Sequence, residues 1–170
     1  MEKLKPTCIY NLGDYYNEPG LREWCHRVKD AEKTNSIFFD VADALLPLVP
    51  DDAILVPIPC WKNYYTDTLA DALAVKKWWR EKPRERMKHV CYCLDSAREG
   101  SLYQLKKLGV TPTEEDCKFS IYGKVPEGRI VLVDNVVATG TTMSAAIRAI
   151  GRPCEALCIA LDNNEYYKSE

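Results

Sequence analysis

The sequence predicts an α/β fold, with a central parallel β-sheet flanked by helices on both faces. Short, wholly apolar runs such as Ala53–Ile58 and Ile130–Val133 read as strands buried on both sides. Segments with apolar residues at helical spacing alternate with those runs. The 170 residues suit one domain with a substantial core, so residues 1–170 are read as a single unit.

Pro19 stands where a first helical turn begins, and Leu21, Trp24, Cys25 and Val28 follow on one helical face. A second helix from about Ser36 carries Phe38, Val41, Ala42 and Leu45 and stops near Pro47 and Pro50. The strand at Ala53–Ile58 ends in Pro57-Ile58-Pro59, which forces a loop. Thr66–Lys77 reads as a helix with Leu69 and Leu73 inward, and the basic segment Lys76–Lys88 leads to another apolar run at His89–Leu94. Ser96–Asp116 is polar, contains Gly100 and Gly109, and is expected to be mobile around a helical turn at Leu102–Leu108. Strands follow at Phe119–Tyr122, at Ile130–Asp134 and, last, at Ala156–Leu161.

A hydrophobic fraction of 46% and a charged fraction of 28% are ordinary for a globular protein. The net charge of -2 gives the whole molecule no pull toward nucleic acid or an anionic membrane, so any anion must be captured locally. Met1–Pro6 leads into polar, turn-prone residues rather than an apolar run, and no stretch approaches the roughly 20 apolar residues of a membrane span. A cytoplasmic location without a membrane partner is therefore expected. The 8 cysteines read as reduced thiols; Cys91-Tyr92-Cys93 has the wrong spacing for zinc, and Cys154 and Cys158 lack a second pair.

The segment that carries chemistry is Arg129–Ile150. An apolar strand ends at Asp134–Asn135, Ala138-Thr139-Gly140-Thr141-Thr142 makes a tight turn, and Met143, Ala146, Ile147 and Ile150 then follow at helical spacing. Such a loop offers backbone N–H groups, hydroxyls and the positive end of a helix to one anion, and Gly140 lets the backbone approach it. Acidic and amide side chains at the strand tip suit the hydroxyls of a sugar, so the spacing describes a ribose 5-phosphate site. The chain contains neither G-x-x-x-x-G-K-[ST] nor G-x-G-x-x-G after a strand, which argues against a nucleoside triphosphatase or a dinucleotide fold.

The string VLVDNVVATGTT resembles the signature of type I phosphoribosyltransferases, which bind 5-phosphoribosyl-1-pyrophosphate (PRPP). Tyr15–Tyr16, the Leu21–Lys29 helix, ILVPIP at 54–59 and a long polar stretch ahead of the signature are similar in order to ComF-like members. That resemblance covers most of the chain, although only the signature is highly specific. It implies the type I phosphoribosyltransferase fold with a small variable hood, here the N-terminal segment and Asp162–Tyr167. It also implies transfer of phosphoribosyl to a nitrogenous base or amine with release of pyrophosphate. Asp134 and Asn135 would be the catalytic pair that holds the ribose 2- and 3-hydroxyls, with Asp134 the one carboxylate to stabilise the developing charge. Ala138, Thr139, Gly140, Thr141 and Thr142 would cradle the 5-phosphate. Cys60, Trp61, Lys62 and Asn63 would lie at the pyrophosphate, and Arg98 and Lys106 on a loop that closes over the site. Mg2+ would arrive with PRPP, held by substrate oxygens and water rather than by a protein cage.

Asn135 departs from the signature, which carries a second acid there. A carboxylate about 4 Å from the developing positive charge is worth at most ~4 kcal/mol at an effective dielectric near 20, so Asn135 weakens the case for turnover more than that for binding. A non-catalytic module that senses PRPP or a nucleotide stands as the alternative. A ComF-like DNA-handling protein is a third reading, motivated by the basic residues around Trp78 and Trp79 and tested at Arg80, Arg84 and Arg86. Glu81 and Glu85 dilute that charge, and a solvated helix end or subunit contact competes with it; a homodimer is compatible with the sequence. Trp61, Tyr64 and Tyr65 read as packing or as stacking on a base. His26 and His89 lie in no catalytic constellation and read as structural.

Overall fold

The computed structural model describes residues 2–168. Four parallel strands form its central sheet in the order β1 (Ile9–Tyr10), β7 (Glu155–Leu157), β5 (Arg129–Val133), β2 (Ala53–Pro57). Helices α1 (Leu21–Asp30), α2 (Ile37–Leu45) and α3 (Tyr65–Lys77) cover one face. Helix α6 (Thr141–Ile150) covers the other, together with an antiparallel hairpin of β3 (Leu94–Ser96) and β4 (Phe119–Ile121). The remaining elements are α4 (Pro83–Arg86), α5 (Leu102–Lys107), β6 (Val136–Val137), β8 (Ala160–Leu161) and α7 (Asn163–Lys168).

Side-chain alternation along the strands divides the core into two layers. Leu55, Val131, Val133 and Leu157 pack toward α1–α3, whereas Val56, Ile130, Leu132 and Ala156 pack toward α6 and the hairpin. Each strand is thus apolar on both sides, which is why these segments read as unbroken hydrophobic runs rather than alternating ones. The helical faces fall where their spacing puts them: Val41, Ala42 and Leu45 of α2, Leu69 and Leu73 of α3, and Met143, Ala146, Ile147 and Ile150 of α6 are all buried.

The structure departs from the sequence reading in three places. The expected strand Ala156–Leu161 is broken at Cys158–Ile159, with β7 paired to β5 and β8 paired to the two-residue β6. The apolar run 89–94 joins the sheet only briefly, through a Val90–Leu55 bridge and the Cys91 amide on the Leu55 carbonyl, before Leu94 turns away into the hairpin. Strand β1 is an edge of two residues, too short to leave a period in the sequence.

Part of the basic segment 76–88 is absorbed by packing, while Arg80, Lys82, Arg84 and Lys88 stay exposed. Trp78 is buried, its ring stacked on His89 at 3.8 Å between centroids, and its indole N–H donates to the Asp51 carbonyl. Arg86 donates to the carbonyls of Trp78, Trp79 and Glu81. His89 also meets Glu81 at 3.0 Å, in keeping with a structural histidine. Trp79 alone of the pair stays exposed, with the Arg80 guanidinium 5.0 Å from its ring.

Leu132 is fully enclosed between β2, β7 and α6. Leu132→Ala is expected to cost about 3 kcal/mol of stability in urea unfolding; a loss below about 1 kcal/mol would show that this layer is not close-packed.

Candidate functional site

The site forms where β5 ends. The Asp134 amide still donates to Leu157 O at 3.0 Å, but the next acceptor, Asn135 O, takes both Ile159 N–H (2.9 Å) and Ala160 N–H (3.2 Å). One carbonyl serving two successive donors ends the regular ladder, so β6 and β8 start as a separate pair. The chain then lifts through Ala138–Gly140 into α6.

At this tip Asp134 is half-buried, and its Oδ1 accepts the Asn135 amide at 2.8 Å. Burial lifts its carboxyl above the ordinary range to about 6, against the pull of the Asn135 amide and the Arg98 and Lys29 cations. Asn135 is buried; its Oδ1 accepts from Val136 N–H at 2.8 Å and its Nδ2 donates to Cys25 O at 3.5 Å. The amide that the signature resemblance assigns to a ribose hydroxyl therefore has partners within the protein.

Gly140 sits at φ 80°, the left-handed region, immediately before α6. A side chain there would be strained, and its Cβ would lie 3.4 Å from the Tyr166 ring of α7. The first-turn amides of α6 have no carbonyl partner within the helix and face the loop. Thr139 Oγ1 and Thr141 Oγ1 are 3.1 Å apart, and Lys3 Nζ donates to the Thr139 carbonyl at 2.8 Å.

Two cavities meet at Asp134. One, of about 130 Å³, is walled by residues 138–142, Tyr103 and Lys106. The other, of about 190 Å³, is walled by Cys60–Lys62, Lys29, Tyr65 and Arg98, with Asn135 and Thr142. Asp134 is the carboxylate they share. The signature loop, three residues of the loop after β2, and Arg98 and Lys106 of the polar stretch thus line one or other of two cavities that meet at Asp134. Asn63 is turned away, its Nδ2 donating to Lys29 O at 3.2 Å. Cys60 faces inward, its Sγ 3.1 Å from Thr66 Oγ1, and burial raises its thiol pKa. Lys106 lies on α5, whose N-terminus is capped by Ser101 Oγ accepting from Gln104 N–H.

Arg98 donates through Nη2 to Pro59 O at 3.2 Å, while its Nε is buried without a hydrogen-bond partner among the described residues. An orphaned guanidinium N–H beside a cleft is a donor in want of an anion. Tyr65, which the sequence offers as packing or as stacking on a base, lines the second cavity, whereas Lys29 and Tyr103 were not visible as site residues in the sequence. Each belongs to a helix with no motif, and only chain folding carries it to the strand tip. A third cavity of about 690 Å³ adjoins both, between Tyr15, Arg22 and His26 on one side and Trp61 and Tyr103 on the other.

No group of three or more His, Cys, Asp or Glu side chains is placed to hold a metal among the described residues. Asp134 supplies a hard carboxylate oxygen on the cleft, which suits a Mg2+ that brings most of its ligands with the substrate. No helix among the described residues is long and apolar enough to cross a membrane.

The raised Asp134 carboxyl has a consequence for stability. Between about pH 4, the unfolded value, and about pH 6 the folded protein binds this proton more tightly than the unfolded chain. The group therefore favours folding at the acid end, and that contribution is lost as pH rises through the window. The stability of Asp134→Asn relative to wild type should increase by about 2–3 kcal/mol from pH 4 to pH 7 in urea titrations. A pH-independent difference would contradict burial as the cause. Asn135→Asp, in contrast, would face the Cys25 carbonyl with a second buried carboxylate; a loss of about 1–3 kcal/mol is expected by the same measurement near neutral pH.

Compared with known proteins, the chain matches no protein-family model and no curated protein.

Proposed function

We propose that this chain binds PRPP and transfers its phosphoribosyl group to a nitrogenous acceptor, releasing pyrophosphate, on a type I phosphoribosyltransferase fold. The observation that carries the reading is the position of Asp134 on the wall common to two anion-suited cavities. A ribose held there would place its 5-phosphate at Thr139–Thr142 and the α6 amides, and its pyrophosphate at Lys62, Lys29 and the unpartnered Arg98 Nε. Mg2+ carried with PRPP would offset the pyrophosphate charge, and the Asp134 carboxylate on the shared wall could offer it a protein oxygen.

The chemistry asks little covalent work of the protein. The bond from ribose C1 to pyrophosphate oxygen breaks as the acceptor nitrogen approaches, and positive charge spreads over the ring. Ionised Asp134 stabilises that charge and orients the hydroxyls, so catalysis is positioning and electrostatics. Asn135 is a positioning residue in this scheme: its backbone N–H holds Asp134 Oδ1, and its side chain ties the strand tip to α1. The N-terminal segment and the start of α7 supply the hood.

Purified protein with Mg2+ and PRPP should release pyrophosphate with a suitable base or amine, and Asp134→Asn should lower kcat by at least ~100-fold while leaving the fold intact. The rate should rise with pH through about 6 as Asp134 ionises. Absence of PRPP binding by calorimetry at about 1 mM ligand would sink the reading. A second reading, a sensor that binds PRPP without turnover, is favoured by the internal use of the Asn135 amide. Tight binding with no pyrophosphate release against a broad acceptor panel would select it.

A further inference from the structure

Another cavity, of about 310 Å³, shares Pro59, Cys60, Trp61 and Arg98 with the one that Asp134 lines, but Asp134 is not in its wall. The rest of that wall differs in kind, with the rings of Tyr64 and Tyr92 and the carboxylates of Asp67 and Asp95. Trp61, Tyr64 and Tyr92 are large, exposed rings gathered around one space. Among the described residues no lysine or arginine stands over any of the three, whereas Phe39, Trp79 and Tyr103 each carry one. Asn63 and Tyr64 both hold left-handed φ, 66° and 46°, a strained conformation for a tyrosine. The Asn63 side chain fixes that turn on Lys29 O, and the Tyr64 ring is left at the cavity.

The charge of the wall favours a cation. Asp67 stands in the first turn of α3, where the helix end by itself welcomes a carboxylate. Asp71 follows one turn later with the same sign, on the same helix face, and accepts the Tyr92 hydroxyl. Burial first, and then the Asp71 charge, raise the Asp67 carboxyl above its ordinary range, with Lys33 opposing them. Lys33 makes no ion pair with it among the described residues. Arg98, the cation in the wall, is held by Pro59 O and acts on Asp134 and Tyr65; the charges that act on Asp67 are Asp71 and Lys33. Two carboxylates make this space a poor seat for phosphate.

We propose that this cavity binds a small organic ammonium ion, its charge paired with Asp67 and Asp95 and its apolar carbons against Trp61, Tyr64 and Tyr92. Aromatic faces attract a cation through their quadrupole, and a nitrogen that carries carbon also has apolar surface to bury on them. A divalent metal would gain nothing from the rings, and no group of three His, Cys, Asp or Glu side chains is placed to hold one among the described residues. The site stands independently of the phosphoribosyl reading.

The test is calorimetry on the full chain at fixed ionic strength. Choline is compared with its uncharged isostere 3,3-dimethylbutan-1-ol, and butylammonium with butan-1-ol. At least one ammonium should bind about tenfold or more tightly than its neutral counterpart. Asp67→Asn should bring that ratio close to one. Tyr92→Leu should weaken ammonium binding by about fivefold, whereas Tyr92→Phe, which keeps the ring and loses only the hydroxyl on Asp71, should leave it within about twofold. No ammonium binding at about 10 mM ligand, equal binding of charged and neutral compounds, a preference that survives Asp67→Asn, or equal binding by Tyr92→Leu and Tyr92→Phe would each overturn the proposal.

Discussion

The carbonyl of Asn135 accepts the amides of Ile159 and Ala160 together, and the candidate site is built outward from that shared acceptor. A regular parallel ladder gives each carbonyl one partner; here the doubled acceptance stops β5 and β7 at the same level and lets β6 and β8 diverge. The divergence releases Asp134 from the sheet and aims the loop of residues 138–140 at the space beyond it. The Asn135 side chain ties the same point to Cys25 of α1, and the C-terminal end of that helix brings Lys29 to the cleft. A strand tip, the glycine-containing loop before α6 and a distant lysine are thereby registered against one another by a single residue.

The two-layered core makes that registration rigid. Strands β2 and β5 are apolar on both faces, and each layer is closed by different elements: three helices on one side, α6 and a hairpin on the other. The hairpin also positions Arg98, which follows β3 and is fixed through Pro59 O. The loop after β2 and the turn after β3 thus meet at one guanidinium. Helix α7 completes the frame by laying Tyr166 against Gly140, so the left-handed turn is both required by its φ and enclosed by its neighbour.

Electrostatically the cleft is poised for an anion it does not supply itself. Asp134 is pushed toward its neutral form by burial, while Arg98 and Lys29 draw it back, and Arg98 Nε has no hydrogen-bond partner among the described residues. A buried guanidinium N–H without a partner among the described residues carries a desolvation cost that an acceptor in the cleft would offset.

The sequence by itself determined the local chemistry. Unbroken apolar runs require burial on two faces, and periods of 3.6 place Met143 and Leu73 inward; a glycine among hydroxyl residues between strand and helix requires a tight, amide-rich turn. These are short-range properties, legible because they depend on neighbours within a few residues. Tertiary structure alone decided which remote groups join them. Lys29 and Tyr103 carry no signal of their own, and Asn63, adjacent to residues that line the cleft, is turned away by a hydrogen bond to α1. The break between β7 and β8 was equally invisible, since Ala156–Leu161 is apolar throughout and only the doubled acceptance at Asn135 interrupts it. Periodicity specifies which face of an element is buried; it carries no information about which other element supplies the contact, and a binding site is made of such contacts.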